Sequence, residues 1–211
     1  MLADAPGPGA ARSRRTRARI LDATRACILE RGLRDTTTVL VTERAGVSRG
    51  ALLHHFPAKE DLLREALRDL LVREVAHMRG LAGDVTAGRL DFDGLIDRLW
   101  GRFSGPLYMI SLEFVNAART DAAILDVLRA VAPDFNEASR AIWDELVRVR
   151  LGRTSPRHGA AFTATLCLLR GMATQTIWRD DPEILDEALA FWKDAMRDLG
   201  ITADRVDAVY G

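Results

Sequence analysis

Residues 38–56 read TVLVTERAGVSRGALLHHF. Gly46-Val47-Ser48 separates two short helical stretches, and Gly46 permits a tight turn between them. Val41 and Ala45 stand four residues apart on the first stretch, Val47 plugs the turn, and Leu52 and Phe56 continue the inward face of the second. Ser48 suits the N-cap of the second helix. That helix must stop near Phe56, because Pro57 disfavours helical geometry in the residue before it. Ser48, Arg49, Ala51 and His55 are left facing outward. The pattern fits a helix-turn-helix whose second helix enters the DNA major groove. A plain helical hairpin inside a bundle would show the same local pattern.

Outward from this stretch, nearly every segment keeps helical spacing and none shows sustained strand alternation, so the fold class is all-α. Ile20, Thr24, Cys27 and Ile28 mark one face of a first helix that stops at Gly32 in a left-handed cap. Any of Thr36, Thr37 or Thr38 suits the N-cap of the next. A longer helix runs from Lys59 to about Met78, with Glu60 and Asp61 in its first turn, where the helix dipole favours anions. The glycine-containing stretch from Gly80 to Gly88 reads as a break and a domain boundary. Beyond it helices are expected near 91–104, 106–118, 121–151, 157–179 and 182–199, with Pro133 kinking or splitting the third of these. Residues 1–13, rich in Pro, Gly, Ala and Arg, read as a flexible basic arm. The expected organisation is that arm, a helix-turn-helix unit over 14–60, a connecting helix over 61–80, and a helical domain over 81–211.

The chain has 211 residues and equal numbers, 30 each, of Lys+Arg and Asp+Glu. This zero hides an asymmetry. Residues 1–59 carry 11 basic and 5 acidic side chains, a net +6, and the remainder carries −6. A basic end on an acidic body suits an encounter with a polyanion, although chance clustering in an arginine-rich chain would look alike. No apolar run approaches the ~20 residues of a membrane span, so no membrane partner is expected. The N-terminus lacks the apolar core of a secretion signal, and Cys27 and Cys167 form no CxxC pair; a cytoplasmic protein with reduced thiols is the expectation. Each cysteine lies on an apolar helical face and reads as buried filler.

Residues 43–65, ERAGVSRGALLHHFPAKEDLLRE, closely resemble the DNA-binding signature of TetR-family (tetracycline-repressor-like) transcriptional regulators. The resemblance covers about 14–79, and the turn, the His-Phe pair and the Lys-Glu-Asp-Leu-Leu run all stand at family spacing. LEFVNAARTD at 112–121 is similar to a less specific phrase of the family's ligand-binding domain. The resemblance implies that Thr38 donates to a phosphate, and that Ser48, Arg49, Gly50 and Ala51 face base edges. Arg49 would read a guanine and Ala51 would touch a thymine methyl. His54, His55 and Lys59 stand where the family clamps phosphates. Arg12, Arg14, Arg15 and Arg17 would reach a minor groove or add charge. Three residues depart from the pattern. Leu53 replaces the usual phosphate-binding tyrosine, Ala58 replaces a Ser or Thr cap, and Leu40 is apolar at a position expected to be exposed.

The family resemblance also implies a homodimer on double-stranded operator DNA, built from the helices near 157–179 and 182–199, and a small-molecule effector. Phe162, Leu166, Leu169 and Ala173 form one apolar face, and Leu185, Ala188, Leu189, Trp192 and Met196 another; each face suits an interface or an internal core. Candidate effector contacts are Trp100, Phe103, Tyr108, Met109, Asn116, Trp143, Met172 and Gln175, with Phe114 and Phe135 beside them. Few charges interrupt 103–118, Glu113 being the exception, so an apolar or mixed ligand is expected.

No GxSxG, Walker loop, HExxH or GxGxxG is present, so no enzyme and no cofactor is expected. Adjacent helical residues point ~100° apart, so His54 and His55 do not face one metal. Asp91 and Asp93, like Asp180 and Asp181, each precede an expected helix and read as cap chemistry. The sequence therefore reads as a ligand-responsive DNA-binding regulator, most simply a repressor. The rival reading is a helical ligand- or partner-binding protein that keeps the fold without specific DNA binding, and Leu53 is the residue that favours it.

Overall fold

Hydrogen bonds at helix ends decide where each element of the reading head starts and stops. In the computed structural model, which describes residues 8–198 and Gly200, the threonine run resolves at Thr37, whose hydroxyl oxygen accepts the Leu40 N–H. The helix it caps, α2 (Thr38–Ala45), ends at Gly46 in the left-handed region (φ 61, ψ 43). Ser48 then caps α3 (Arg49–His55), accepting the Ala51 N–H at 3.1 Å, and extended backbone at Phe56 ends it before Pro57. Before them lies α1 (Pro8–Asp35), and after them α4 (Lys59–Thr86), α5 (Phe92–Phe103), α6 (Pro106–Ala118), α7 (Ala122–Leu151), α8 (Pro156–Gln175) and α9 (Pro182–Asp198). The described residues contain no strand.

Four expectations change. Residues 8–13, read as part of an arm, are the first turns of α1; residues 1–7 lie outside the described residues. Gly32 does interrupt α1, but with φ 78 and ψ 167 it lies in the positive-φ, extended region that only glycine enters easily, and it is not a left-handed cap. Helix α4 does not stop near Met78; it runs through Gly80 and Gly83 to Thr86, because Leu81 and Val85 are buried there and packing outweighs the ~1 kcal/mol helix penalty of each glycine. Helix α7 is not split at Pro133 but includes it.

The described residues divide into two compact units, those within 1–71 together with 109–132, and those within 72–108 together with 133–211. In the first, Ile20, Leu21, Cys27, Val41, Ala45, Leu52, Phe56, Leu62 and Ala66 form a buried cluster, with α1 packed on α2 and α2 on α3. Leu40, unexplained from sequence, leans partly buried against this cluster. In the second, Leu95, Leu99, Trp143, Phe162, Leu169, Leu185 and Met196 belong to the core, with α5 and α9 on α8. Phe162, Leu166, Leu169, Ala173, Leu185, Leu189 and Met196 are buried inside this unit, and Ala188 and Trp192 pack partly buried against its core. Both apolar faces that sequence left ambiguous between interface and core are therefore core.

The outward side of α8 is also uncharged over several turns. Ala160, Ala164, Cys167 and Gly171 are exposed there, and α9 exposes Ile184 and Phe191. Cys27 is buried as expected, but Cys167 is exposed, because it belongs to this second, small-residue face of α8. Asp91 does cap α5, accepting the Gly94 N–H at 2.7 Å. Asp181 instead binds Arg179 through both carboxylate oxygens, which holds its carboxyl below the ordinary range.

Candidate nucleic-acid interface

Arg17, Arg19 and Arg25 of α1, with Arg44 of α2, are engaged within the first unit. Arg17 pairs with Glu65 and lies 5.4 Å from the centre of the Phe56 ring. Arg25 pairs with Asp69 and Asp22. The Arg19 guanidinium donates to the Ala45 carbonyl and, at 3.2 Å, to that of Gly46, satisfying the carbonyls at the end of α2. Arg44 pairs with Glu30, which lowers the Glu30 pKa and raises that of Arg44. These residues pin α2 and α4 to α1. Arg17, expected to add free charge near DNA, is among them.

The second helix of the pair is treated differently. Arg49, Gly50, Leu53 and His54 are exposed together on α3, while Leu52 beneath them is buried in the cluster. Arg49 has no ion-pair partner among the described residues, and Lys59, half-buried at the start of α4, has none either. Ser48 spends its acceptor on the α3 cap, leaving its hydroxyl proton free to donate outward. A Cβ on Gly50 would meet only Ser48 Oγ, 4.0 Å away, so nothing inside the chain demands glycine there. Its lack of a side chain leaves room on the outside. Ala51 is half-buried and Thr38 half-buried at the start of α2.

His54 and His55 sit with ring centres 5.4 Å apart in an edge arrangement, His54 exposed and His55 half-buried. Burial lowers the His55 pKa from 6.5, and the nearby His54 and Arg17 add to the shift. His55 is therefore mostly neutral near pH 7. At Ala58 no side chain caps α4, and Glu60 and Asp61 in its first turn compensate its dipole instead.

Residues 20–66 match the family model described as bacterial regulatory proteins, tetR family. The transcriptional repressor AcnR of Corynebacterium efficiens is 31% identical over 146 residues, 67% of each chain. The chain belongs to the TetR family. Like its relatives in this TetR family, it is a DNA-binding transcriptional regulator. Solved structures agree on the fold. A TetR transcription regulator from Haloarcula marismortui superposes with a TM-score of 0.69 at 22% identity, over 87% of this chain and 97% of its own. The multidrug binding protein EbrR, crystallised with imidazole, superposes with a TM-score of 0.57 at 24% identity, over 83% and 93%.

The residues that the TetR resemblance marked for an effector fall in both units. Trp143 is in the core of the second unit, edge-on to Phe92 at 5.5 Å and donating its indole N–H to the His158 carbonyl at 3.0 Å. Met172 is buried in the same core. Phe103 meets Tyr108 at 5.7 Å, and the Tyr108 hydroxyl lies 3.1 Å from Thr174 Oγ1. Trp100 is half-buried against the core, and the Gln175 side-chain oxygen accepts from Arg179 at 3.1 Å. Met109, half-buried, and Asn116, exposed, belong to the first unit. So does Glu113, which accepts the Leu33 N–H at 2.8 Å just past the Gly32 break.

An open groove of about 520 Å³ in the second unit lies between α4 and α7, lined by Arg79, Ala82, Gly83, Thr86, Ala87, Ala138, Ala141, Ile142, Glu145 and Leu146. Sequence reasoning missed these liners, because small residues in helical spacing carry no aromatic signal. Ala82, Ile142 and Leu146 also line a void of about 20 Å³ whose wall includes Trp143, one of the expected contacts. A half-buried ion pair stands in the same unit: the buried Glu74 on α4 accepts from both Nε and Nη2 of the partly exposed Arg102, which raises the Arg102 pKa.

Proposed function

We propose that the protein is a ligand-responsive repressor, working in the cytoplasm, which binds a palindromic operator as a homodimer and is released by a small molecule of apolar or mixed character. The observation that carries this reading is the exposed face of α3. An arginine without an internal partner stands there beside a glycine that the chain's own packing does not require, while Arg17, Arg19, Arg25 and Arg44 are engaged internally. Arg49 would read base edges, with Ser48, Gly50 and Ala51 allowing close approach. Thr38, with the free N–H groups that open α2, and His54, His55 and Lys59 would hold phosphates.

A palindrome read by two copies of α3 requires a symmetric dimer. The outward faces of α8 and α9, with Ala160, Ala164, Cys167, Gly171, Ile184 and Phe191, supply apolar surface for one. The groove between α4 and α7 has a volume within the usual range for small-molecule sites and a mostly apolar wall. A ligand that prefers the dimer state with badly spaced α3 helices weakens DNA binding by its differential affinity for that state.

The test is selection of duplexes from a random pool by the full chain, followed by mobility shift. Wild type should enrich a palindrome, with a steep loss of affinity as salt rises. A flat salt dependence and no enriched sequence would reject the reading. Release of DNA only by strongly charged metabolites would reject the effector class.

A further inference from the structure

We propose that Leu53 reads thymine, its side chain packing on a C5-methyl group in the major groove, so that it sets base preference alongside Arg49. The inference rests on α3 being the reading helix. Leu53 is 43% exposed, while its neighbours Leu52 and Phe56 are buried and the partly buried Leu40 and Val47 lean on the core of the first unit. It takes no part in that core. Leu53 stands four residues after Arg49 and three after Gly50, so all three share one face of a regular helix, and all three are exposed. Gly50 offers no side chain to cover it. The face thus carries a cation, an open patch and one branched apolar group.

A leucine cannot donate to a phosphate. The chemistry left to it in the groove is burial against carbon, and the thymine methyl is the carbon that base pairs present there in a sequence-dependent way. The substitution that removes the usual tyrosine therefore exchanges a sequence-blind contact for a sequence-reading one.

The experiment uses duplexes selected from a random pool by the full wild-type chain. Each thymine is replaced in turn by deoxyuridine, which removes only the methyl, and dissociation constants are read by fluorescence anisotropy. Wild type should weaken about fourfold at one thymine per half-site, the worth of one buried methyl. Leu53→Ala should show no uracil effect at that position and match wild type at the others. Leu53→Tyr should also lose the uracil effect while binding all sequences more tightly. Equal uracil losses in wild type and Leu53→Ala would overturn the proposal. So would a Leu53→Ala defect that is the same on every sequence, which would place the side chain on the sugar-phosphate backbone. Arg49→Ala separates the two readings: if it discriminates bases like wild type, α3 is not the reading helix and both fall. If Arg49→Ala relaxes the consensus and only the uracil effect is missing, Leu53 alone is misassigned.

Discussion

The outer faces of α3 and α8 are both exposed and both made partly of small residues, yet their chemistry differs. On α3, Gly50 and half-buried Ala51 stand beside Arg49 and His54; on α8, Ala160, Ala164, Cys167 and Gly171 run along one side without a charge among them. Smallness beside a cation lets a helix approach a hydrated polyanion closely. Smallness without charge lets another helix approach, because little polar surface loses water when it is covered. Exposure alone names no partner; the charge next to the small residue does.

Single substitutions should respect that division. The largest effect is expected for Phe191→Glu. Phe191 is 73% exposed on α9, and symmetry places two new carboxylates in one apolar contact. Analytical ultracentrifugation should show the dimer weakened on the order of a hundredfold or more, with the melting of the monomer little changed. If Phe191→Glu stays dimeric, the α8–α9 face has another role.

Arg102→Gln should come next. It leaves the Glu74 carboxylate buried without its cation, and because the Arg102 side chain is partly open to water the loss should be about 2 kcal/mol, below the ~3–5 kcal/mol of a fully buried pair. Chemical denaturation measures it. Arg49→Ala should cost about 1–3 kcal/mol of discrimination between the selected base and its competitors and leave the melting temperature unchanged. A change of oligomeric state in this variant would break the separation between the two faces. Gly46→Ala puts a Cβ at φ 61, and 2.9 Å from Arg19 Nη2, so it should lower stability by about 1–2 kcal/mol and disturb DNA binding with it.

The smallest effect concerns pH. The His55 pKa in the folded chain lies below its unfolded value of 6.5. Its contribution to stability is therefore intact above 6.5 and is lost as pH falls from there through the lowered folded value, since the unfolded chain then binds more protons. DNA affinity moves the opposite way: a phosphate at His55 favours the charged ring, binding takes up a proton, and affinity should rise modestly as pH drops below 6.5. In His55→Ala both slopes should flatten. An unchanged affinity slope would remove His55 from the phosphate clamp.

What was legible in the sequence follows the range of the forces involved. Gly46, Ser48 and Pro57 act within one turn of their own position, and α2 and α3 end where those residues say. Packing is a longer-range matter. The run of α4 through Gly80 and Gly83 depends on where Leu81 and Val85 are buried, which neighbouring residues do not encode. Helix α8 is apolar on two sides, and periodicity cannot tell which side meets the rest of its own chain. Phe162 and Leu169 turned out to face inward and Cys167 outward. On α3, sequence placed Arg49 outward and marked Leu53 only as a departure; its exposure became visible once Leu52 and Phe56 were seen to fill the core without it.

The bond from the Leu33 N–H to Glu113 spans 80 residues and lies within the first unit, which includes 109–132 as well as the chain's beginning. A ribosome delivers the helix-turn-helix long before it delivers that carboxylate. Until α6 has emerged, the N–H that the Gly32 break exposes must be satisfied by water, and the end of α1 lacks its anchor. The last step in completing the DNA-binding end is thus set by a residue from the middle of the message, and a fragment cut at residue 71 would keep the reading helix without the tie that holds the end of α1.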